Sequence, residues 1–196
     1  MSFKIKPSAL DIRNYVDNFN ENNPYDRQNY LAALRLAKCF PSNDGDYQSI
    51  FIKVNFINGA FKTAIGDTTG VAKQIFRLKD IDERLRTGKD ELVADIARYA
   101  KVKDGKFINN YSFATKFCHC HEPDLFPIYD KYVAMSLYKF NNYHSSEKFT
   151  KKSLRDYEKF KTALSDFKKF VDGENLKPGE IDRYLWALGR EFMKKT

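Results

Sequence analysis

Apolar residues recur at helical spacing along most of the chain, and polar segments rich in proline, glycine, asparagine or aspartate separate these stretches. The spacing predicts helices over residues 8–19, 26–40, 70–78, 79–86, 89–100, 111–120 and 150–171, one that begins after Asp130, and a last one that carries Ile181, Tyr184, Leu185, Leu188 and Phe192. Residues 47–62 are rich in β-branched and aromatic residues that suit a strand, but their helical neighbours favour a helix. The pattern predicts an all-α protein.

Polar stretches punctuate this pattern and suggest where the chain is divided. NNYHSSEK at 141–148 is a predicted loop, and so are SNDGD at 42–46 and GDTTG at 66–70. We expect one compact helical domain over residues 1–196, or two lobes with a break near 41–70, because the length suits either arrangement.

The composition favours an anionic partner. The chain has 196 residues, 34 Lys and Arg against 26 Asp and Glu, and a net charge of +8. Nucleic acid is the commonest polyanion that such a surface binds, although many basic proteins bind none. The N-terminus has no apolar signal-peptide core, no apolar run is long enough to cross a bilayer, and the three cysteines form no disulfide framework. We therefore expect a cytoplasmic protein with no membrane partner.

Residues 117–130 read FCHCHEPDLFPIYD, and four consecutive candidate metal ligands open this stretch. On a helix, successive residues turn by about 100°, so Cys118 and Cys120 point about 200° apart. Only Cys118 and His121 share a face, and no second Cys or His pair exists to complete a tetrahedral site. We predict no metal or other cofactor, with Cys118 packed in the core and His119 on an exposed face.

Asp130 ends the same stretch, at the start of the next predicted helix. Its carboxylate suits an N-cap that accepts from the free N–H groups of the first turn. The segments around it suggest a second interpretation. They are INNYSFA at 108–114, LFPIYD at 125–130 and DKYV at 130–133.

In their order, these segments resemble the helix-hairpin-helix DNA glycosylase superfamily, whose members show a hairpin, K-x-A at a helix start, an apolar–proline stretch and D-x-x-V. The resemblance covers about residues 108–133. It implies a multi-helix, glycosylase-like domain that binds double-stranded DNA. It also implies that Asp130 assists water attack at the C1′ atom of a flipped nucleotide, or stabilises the oxocarbenium charge that develops there.

Two departures from the family pattern affect this interpretation. Ile108 and Asn110 stand where the family hairpin carries glycines, and Asn109 and Asn110 are the residues best able to supply a left-handed conformation there. Ser112 stands where bifunctional members place a Schiff-base lysine, with Lys116 one turn further on. Any glycosylase of this type is expected to be monofunctional, without a lyase step.

The resemblance also suggests nucleic-acid contacts. The predicted contacts are Asn109, Asn110, Tyr111 and Ser112 in the hairpin, and the cations Lys101, Lys103, Lys106, Lys116 and Lys131. Tyr129, Tyr132 and Trp186 are candidates for stacking on a base, although an aromatic residue at core spacing usually packs in the core.

Whether the protein is an enzyme stays open at this point. The alternatives are a non-catalytic module that binds nucleic acid or protein on the same scaffold, and a structural protein whose charge is incidental. The missing hairpin glycines and the missing lysine favour the non-catalytic module. The sequence does not indicate the oligomeric state.

Overall fold

The structure is a computed structural model that describes residues 6–40, 43, 45–103, 106–144 and 149–194, except for the side chains of 99–103, 106 and 107. Within these residues the chain is helical apart from one β-hairpin. The elements are α1 (Ala9–Asn22), α2 (Pro24–Cys39), α3 (Tyr47–Phe61), α4 (Thr68–Phe76), α5 (Ile81–Arg86), α6 (Glu91–Ala97), β1 (Arg98–Lys103), β2 (Lys106–Asn109), α7 (Tyr111–His121), α8 (Lys131–His144), α9 (Tyr157–Phe170) and α10 (Pro178–Lys194).

The chain forms two compact units. Unit 1 comprises residues 1–23 and 129–196, and unit 2 comprises residues 24–128. The break that the loops near 41–70 suggested lies inside unit 2, where those loops join consecutive helices. Unit 1 is discontinuous along the chain because α1 packs against α10.

Unit 1 has a core of aliphatic and aromatic side chains from all four of its α-helices. The inner face predicted for the last helix is confirmed, since all five apolar positions named for it are buried. Residues 150–171 also carry apolar side chains at helical spacing, and these are buried as well: Leu154, Tyr157, Phe160, Leu164, Phe167 and Val171. A capping box between Ser8 and Asp11 starts α1, and the Asp156 carboxylate accepts from the Lys159 N–H to start α9.

Unit 2 packs its helices around α7. This helix is buried on nearly all sides, with Phe113, Phe117 and Cys118 fully enclosed. The ambiguous segment at 47–62 is the helix α3, as predicted. Its apolar residues on several sides fit a helix that packs against α2, α4 and α7.

Several boundaries differ from the prediction. The helix expected over 150–171 spans Tyr157–Phe170, and the loop expected over 66–70 is wrong in its second half, since α4 begins at Thr68. The helix expected over 89–100 ends at Ala97, and the chain continues as two antiparallel strands in which Arg98 pairs with Asn109. The loop expected over 141–148 is wrong in its first half because α8 continues to His144, while residues 145–148 lie outside the described residues. Among the described helices, none is long and apolar enough to cross a membrane.

Candidate nucleic-acid interface

Asp130 immediately precedes α8 in unit 1 and accepts a hydrogen bond at its N-terminus. The Tyr132 backbone N–H donates to Asp130 Oδ1 at 2.9 Å, and the Ala134 N–H donates to the Asp130 carbonyl at 2.8 Å. The N-cap contact expected of this residue is therefore present. Because the free N–H groups of the first turn point here, this hydrogen bond fixes the orientation of the carboxylate against the start of α8.

The first turn of α8 lies directly against α10. A Cβ atom added at Gly189 would lie 2.1 Å from the Tyr132 carbonyl oxygen and 2.8 Å from the Tyr132 Cα. No side chain fits between the two backbones at this crossing. Gly189 therefore allows the segment that carries Asp130, Lys131 and Tyr132 to lie beside Trp186, one helical turn earlier on α10.

An arginine–aromatic cluster surrounds Trp186, and we define it as Phe19, Tyr132, Arg183, Trp186 and Arg190. The Cζ atoms of Arg183 and Arg190 lie 5.4 and 4.8 Å from the Trp186 ring centroid, and 5.6 and 5.7 Å from that of Phe19. The Phe19 and Tyr132 rings stand nearly perpendicular to the indole, at centroid distances of 5.4 and 6.0 Å. The two guanidiniums therefore share the same two rings, which brings four cation–π contacts together in one place.

Helix geometry explains part of this cluster. Arg183, Trp186 and Arg190 lie at i, i+3 and i+7 on α10 and therefore share one face. Phe19 comes from α1, where the neighbouring Asn20 Oδ1 accepts from Arg183 Nε at 2.9 Å. Sequence reasoning selected Trp186 and Tyr132 but missed both arginines. Their spacing around the tryptophan was visible, but the approach of α1 was not.

The other predicted residues of unit 1 lie in different surroundings. Lys131 is exposed, with its Nζ 4.8 Å from the Tyr132 ring centroid, which places a third cation beside the cluster. The Tyr129 ring instead packs edge-on against Phe160 at 5.4 Å. Tyr132 and Trp186 are thus brought together, whereas the ring of Tyr129 contacts the core.

The hairpin residues of unit 2 differ from expectation in conformation and burial. Positive φ angles at non-glycine residues occur at Lys62, Ala64, Asp80 and Asp172 in the described chain. They do not occur at Asn109 or Asn110, so the predicted left-handed conformation there is wrong. Asn109 is exposed, whereas Tyr111 is buried.

The lysines assigned to phosphate contacts fall into two groups. Lys116 is 3 % exposed and its Nζ donates to Ser112 Oγ at 2.6 Å, so this ammonium lies inside the structure and not on its surface. Lys101, Lys103 and Lys106 lie on the two hairpin strands, but their side chains are outside the described residues.

The CHCH stretch lies at the end of α7 in the interior of unit 2. Cys118 is buried as predicted, but the exposed position predicted for His119 is wrong, because His119 is 0 % exposed. Its Nδ1–H donates to the Phe126 carbonyl at 2.8 Å, and its Nε2 accepts from the Tyr30 hydroxyl at 3.0 Å. Within the described residues, no three His, Cys, Asp or Glu side chains are grouped to hold a metal.

A buried polar network that sequence reasoning missed lies in the same unit. Lys53 is 0 % exposed, and its Nζ donates to Asn43 Oδ1 at 2.6 Å, to the Phe40 carbonyl at 2.7 Å and to His121 Nε2 at 3.3 Å. Asn43 in turn donates to Asp82. Burial lowers the pKa of Lys53 to about 8, against the opposing charges of Asp82 and Asp46. The network joins Phe40 and Asn43 to side chains of α3, α5 and α7.

Protonation of His119 should destabilise unit 2 in acid. Burial lowers its pKa from 6.5 to about 4, so below pH 6.5 the unfolded chain takes up the proton first. Stability present above pH 6.5 is therefore lost as the pH falls towards 4, by about 3 kcal/mol at most. Denaturation followed by circular dichroism at pH 7, 5.5 and 4.5 measures this loss.

The matched variants are His119→Asn and His144→Asn. We expect the first to be less stable at pH 7 and to lose part of the acid dependence. His144→Asn changes an exposed residue of α8 in unit 1 and should keep the acid dependence of unit 2. His121, whose pKa burial also lowers to about 4, accounts for the dependence that remains. An unchanged acid dependence in His119→Asn would contradict the prediction.

Comparison with known proteins identifies relatives of the chain. Residues 11–125 match the family model HI_0787_N, described as an N-terminal domain. This match ends close to the boundary between the two units at residues 128 and 129. An uncharacterized protein of Haemophilus influenzae (strain Rd) is 37% identical over 174 residues, which cover 88% of this chain and 83% of that protein. No solved structure gives a significant match. The chain therefore belongs to the HI_0787_N family.

Proposed function

We propose that the protein binds double-stranded DNA through the surface around the arginine–aromatic cluster, and that it is a monofunctional DNA N-glycosylase in which Asp130 assists hydrolysis. The observation that carries this proposal is the position of Asp130. Its carboxylate is hydrogen-bonded to the N–H of Tyr132, a member of a cluster that combines two guanidiniums with three aromatic rings.

The cluster has the chemistry that nucleic acid requires. A guanidinium forms bidentate, charge-assisted hydrogen bonds with phosphate, and aromatic rings stack on unpaired bases. The net charge of +8 supports association with a polyanion. Lys131, exposed beside Tyr132, adds positive charge at the same place.

The proposed reaction is hydrolysis of the bond between C1′ and the base of a flipped nucleotide. Water forms a new bond to C1′ as the C1′–N bond breaks, the electron pair of that bond leaves with the base, and the Asp130 carboxylate accepts a proton from the water. The negative carboxylate also stabilises the positive charge that develops on the sugar. Lys116 is buried against Ser112, which supports simple hydrolysis over a Schiff-base step.

The scaffold is proposed to be a variant of the helix-hairpin-helix type. The order α6, hairpin, α7 supports this assignment, and the Asn110 N–H closes the base of the hairpin by donating to the Ala97 carbonyl at 2.9 Å. The connection differs from the family pattern, because two paired strands replace a short glycine-containing turn. Binding of a phosphate by the backbone N–H groups of such a turn is therefore not part of the proposal.

The second candidate is a non-catalytic module that binds nucleic acid through the same cluster. The N-cap contact favours it, because this contact accounts for an aspartate at this position without any reaction. The absence of a lysine at Ser112 favours it as well.

Two measurements on the wild-type chain separate these candidates. The first is anisotropy of labelled duplex DNA over increasing salt, where the proposal predicts a steep linear fall of log K with log salt. The second is base release from duplexes that carry a panel of lesions. Salt-dependent binding with release supports the glycosylase, and binding without release supports the module. A chain that binds no DNA even at about 50 mM salt contradicts both.

A further inference from the structure

We infer that Trp186 is a positioning residue, whose indole holds the guanidiniums of Arg183 and Arg190 as paired contacts for two neighbouring phosphates of a nucleic-acid backbone. This inference rests on the proposed nucleic-acid binding and deepens it. It assigns Trp186 a different role from the base-stacking role suggested by its residue type.

Two arginines of the same helix flank the Trp186 indole. Arg183 lies one helical turn before Trp186 on α10, Arg190 lies one turn after it, and both Cζ atoms are within 5.4 Å of the ring centroid. The perpendicular rings of Phe19 and Tyr132 add two further neighbours. A base that stacks on a face of the indole covered by a guanidinium would have to displace that guanidinium and lose its cation–π contact.

The Trp186 ring keeps the two guanidiniums close to each other. Residues seven positions apart on a helix are about 10.5 Å apart along its axis. Because both Cζ atoms lie near one ring centroid, the guanidiniums are no more than about 10 Å apart. A second ring, that of Phe19, has its centroid 5.6 and 5.7 Å from the same two Cζ atoms and further restricts their positions.

The electrostatics indicate the ligand. Two like charges at this distance repel each other, and an anion placed against both removes that repulsion. A planar guanidinium can match a phosphate bidentately, and a side chain already ordered by a ring loses less conformational entropy on binding. Arg183 Nε already donates to Asn20 Oδ1, so a phosphate at Arg183 contacts the other side of its guanidinium. A phosphodiester backbone supplies two anions at once, whereas a free phosphate supplies one.

The experiment compares variants of the cluster by the salt dependence of their binding to labelled duplex and single-stranded oligonucleotides. We expect Arg183→Gln and Arg190→Gln each to lower the slope of log K against log salt by about 0.9 on duplex, or about 0.7 on a single strand. Arg13→Gln is the matched control in the same unit, because Arg13 is exposed and pairs with Glu180 away from the ring. It should leave the slope unchanged.

A second pair of variants separates positioning from charge. Arg183→Lys and Arg190→Lys keep the charge and lose the planar group, so we expect an unchanged slope with an affinity about tenfold lower. Trp186→Leu should weaken binding as much as loss of both arginine contacts does. Trp186→Phe keeps an aromatic ring and should therefore retain most of the wild-type affinity. Because the lysine variants keep the indole, the inference stays testable if Trp186→Leu does not fold.

The fluorescence of Trp186 supplies an independent readout, because it is the only tryptophan in the chain. We expect little quenching when an oligonucleotide binds, since phosphates contact the arginines and no base reaches the ring. Strong quenching with unchanged slopes in both glutamine variants would overturn the inference in favour of base stacking. Wild-type binding that no cluster variant alters overturns the inference alone, whereas a wild type that binds neither oligonucleotide overturns the proposed function as well.

Discussion

Asp130→Asn should reduce base release by about 100-fold to 10,000-fold, the range that a positioned acid or base contributes, while DNA binding stays within about twofold of wild type. Asparagine is nearly the same size and can still accept the Tyr132 N–H that Asp130 Oδ1 accepts at 2.9 Å. The variant therefore removes the charge and keeps the cap. Single-turnover release from lesion-bearing duplexes, with anisotropy of the same duplexes, measures both quantities.

Asp156→Asn is the matched control for this prediction. Asp156 also caps a helix of unit 1, since its Oδ1 accepts the Lys159 N–H at 3.1 Å, but it lies at α9 and outside the cluster. We expect wild-type release from this variant. If Asp130→Asn also releases bases at the wild-type rate, the Asp130 carboxylate acts as a cap and not in the reaction.

Gly189→Ala should destabilise unit 1 by about 2 kcal/mol or more, even though alanine favours a helix over glycine by about 1 kcal/mol. The added Cβ would lie 2.1 Å from the Tyr132 carbonyl oxygen, and backbone cannot rotate away as a flexible side chain can. One helix must shift, and the shift moves the first turn of α8 with Asp130. Denaturation followed by the fluorescence of Trp186, on α10, reports on unit 1.

The control for Gly189→Ala is Gly59→Ala. Gly59 lies in the helix α3, and a Cβ there would have no neighbour within 4 Å. We expect this variant to be stabilised by about 0.5–1 kcal/mol through helix propensity alone, measured by circular dichroism. A Gly189→Ala variant as stable as wild type would show that the backbones of α8 and α10 do not meet at this glycine.

Local sequence predicted the helices because helix formation depends on neighbours three and four residues apart. The inner faces of α9 and α10 were correct for this reason. The hairpin after Ala97 was missed, since its short and basic strands show no clear alternation and each becomes a strand only by pairing with the other. A helical pattern cannot reveal a partner.

Burial was predicted well for apolar residues and poorly for polar ones. Lys53 and His119 are fully buried, contrary to the usual preference of lysine and to the prediction for His119. Both are buried because donors or acceptors outside their own helices satisfy them: Asn43 and Phe40 for Lys53, and Tyr30 and Phe126 for His119. No local pattern indicates where such partners lie.

The sequence by itself determined the helical class, the inner faces of the long helices, the basic character and the position of Asp130 before α8. Tertiary structure decided which of these features meet. The pairing of α1 with α10, the crossing at Gly189 and the approach of Phe19 and Tyr132 to Trp186 depend on residues far apart in the chain. The physical reason is that helical periodicity specifies which face of a helix is buried, whereas packing between helices specifies what that face contacts.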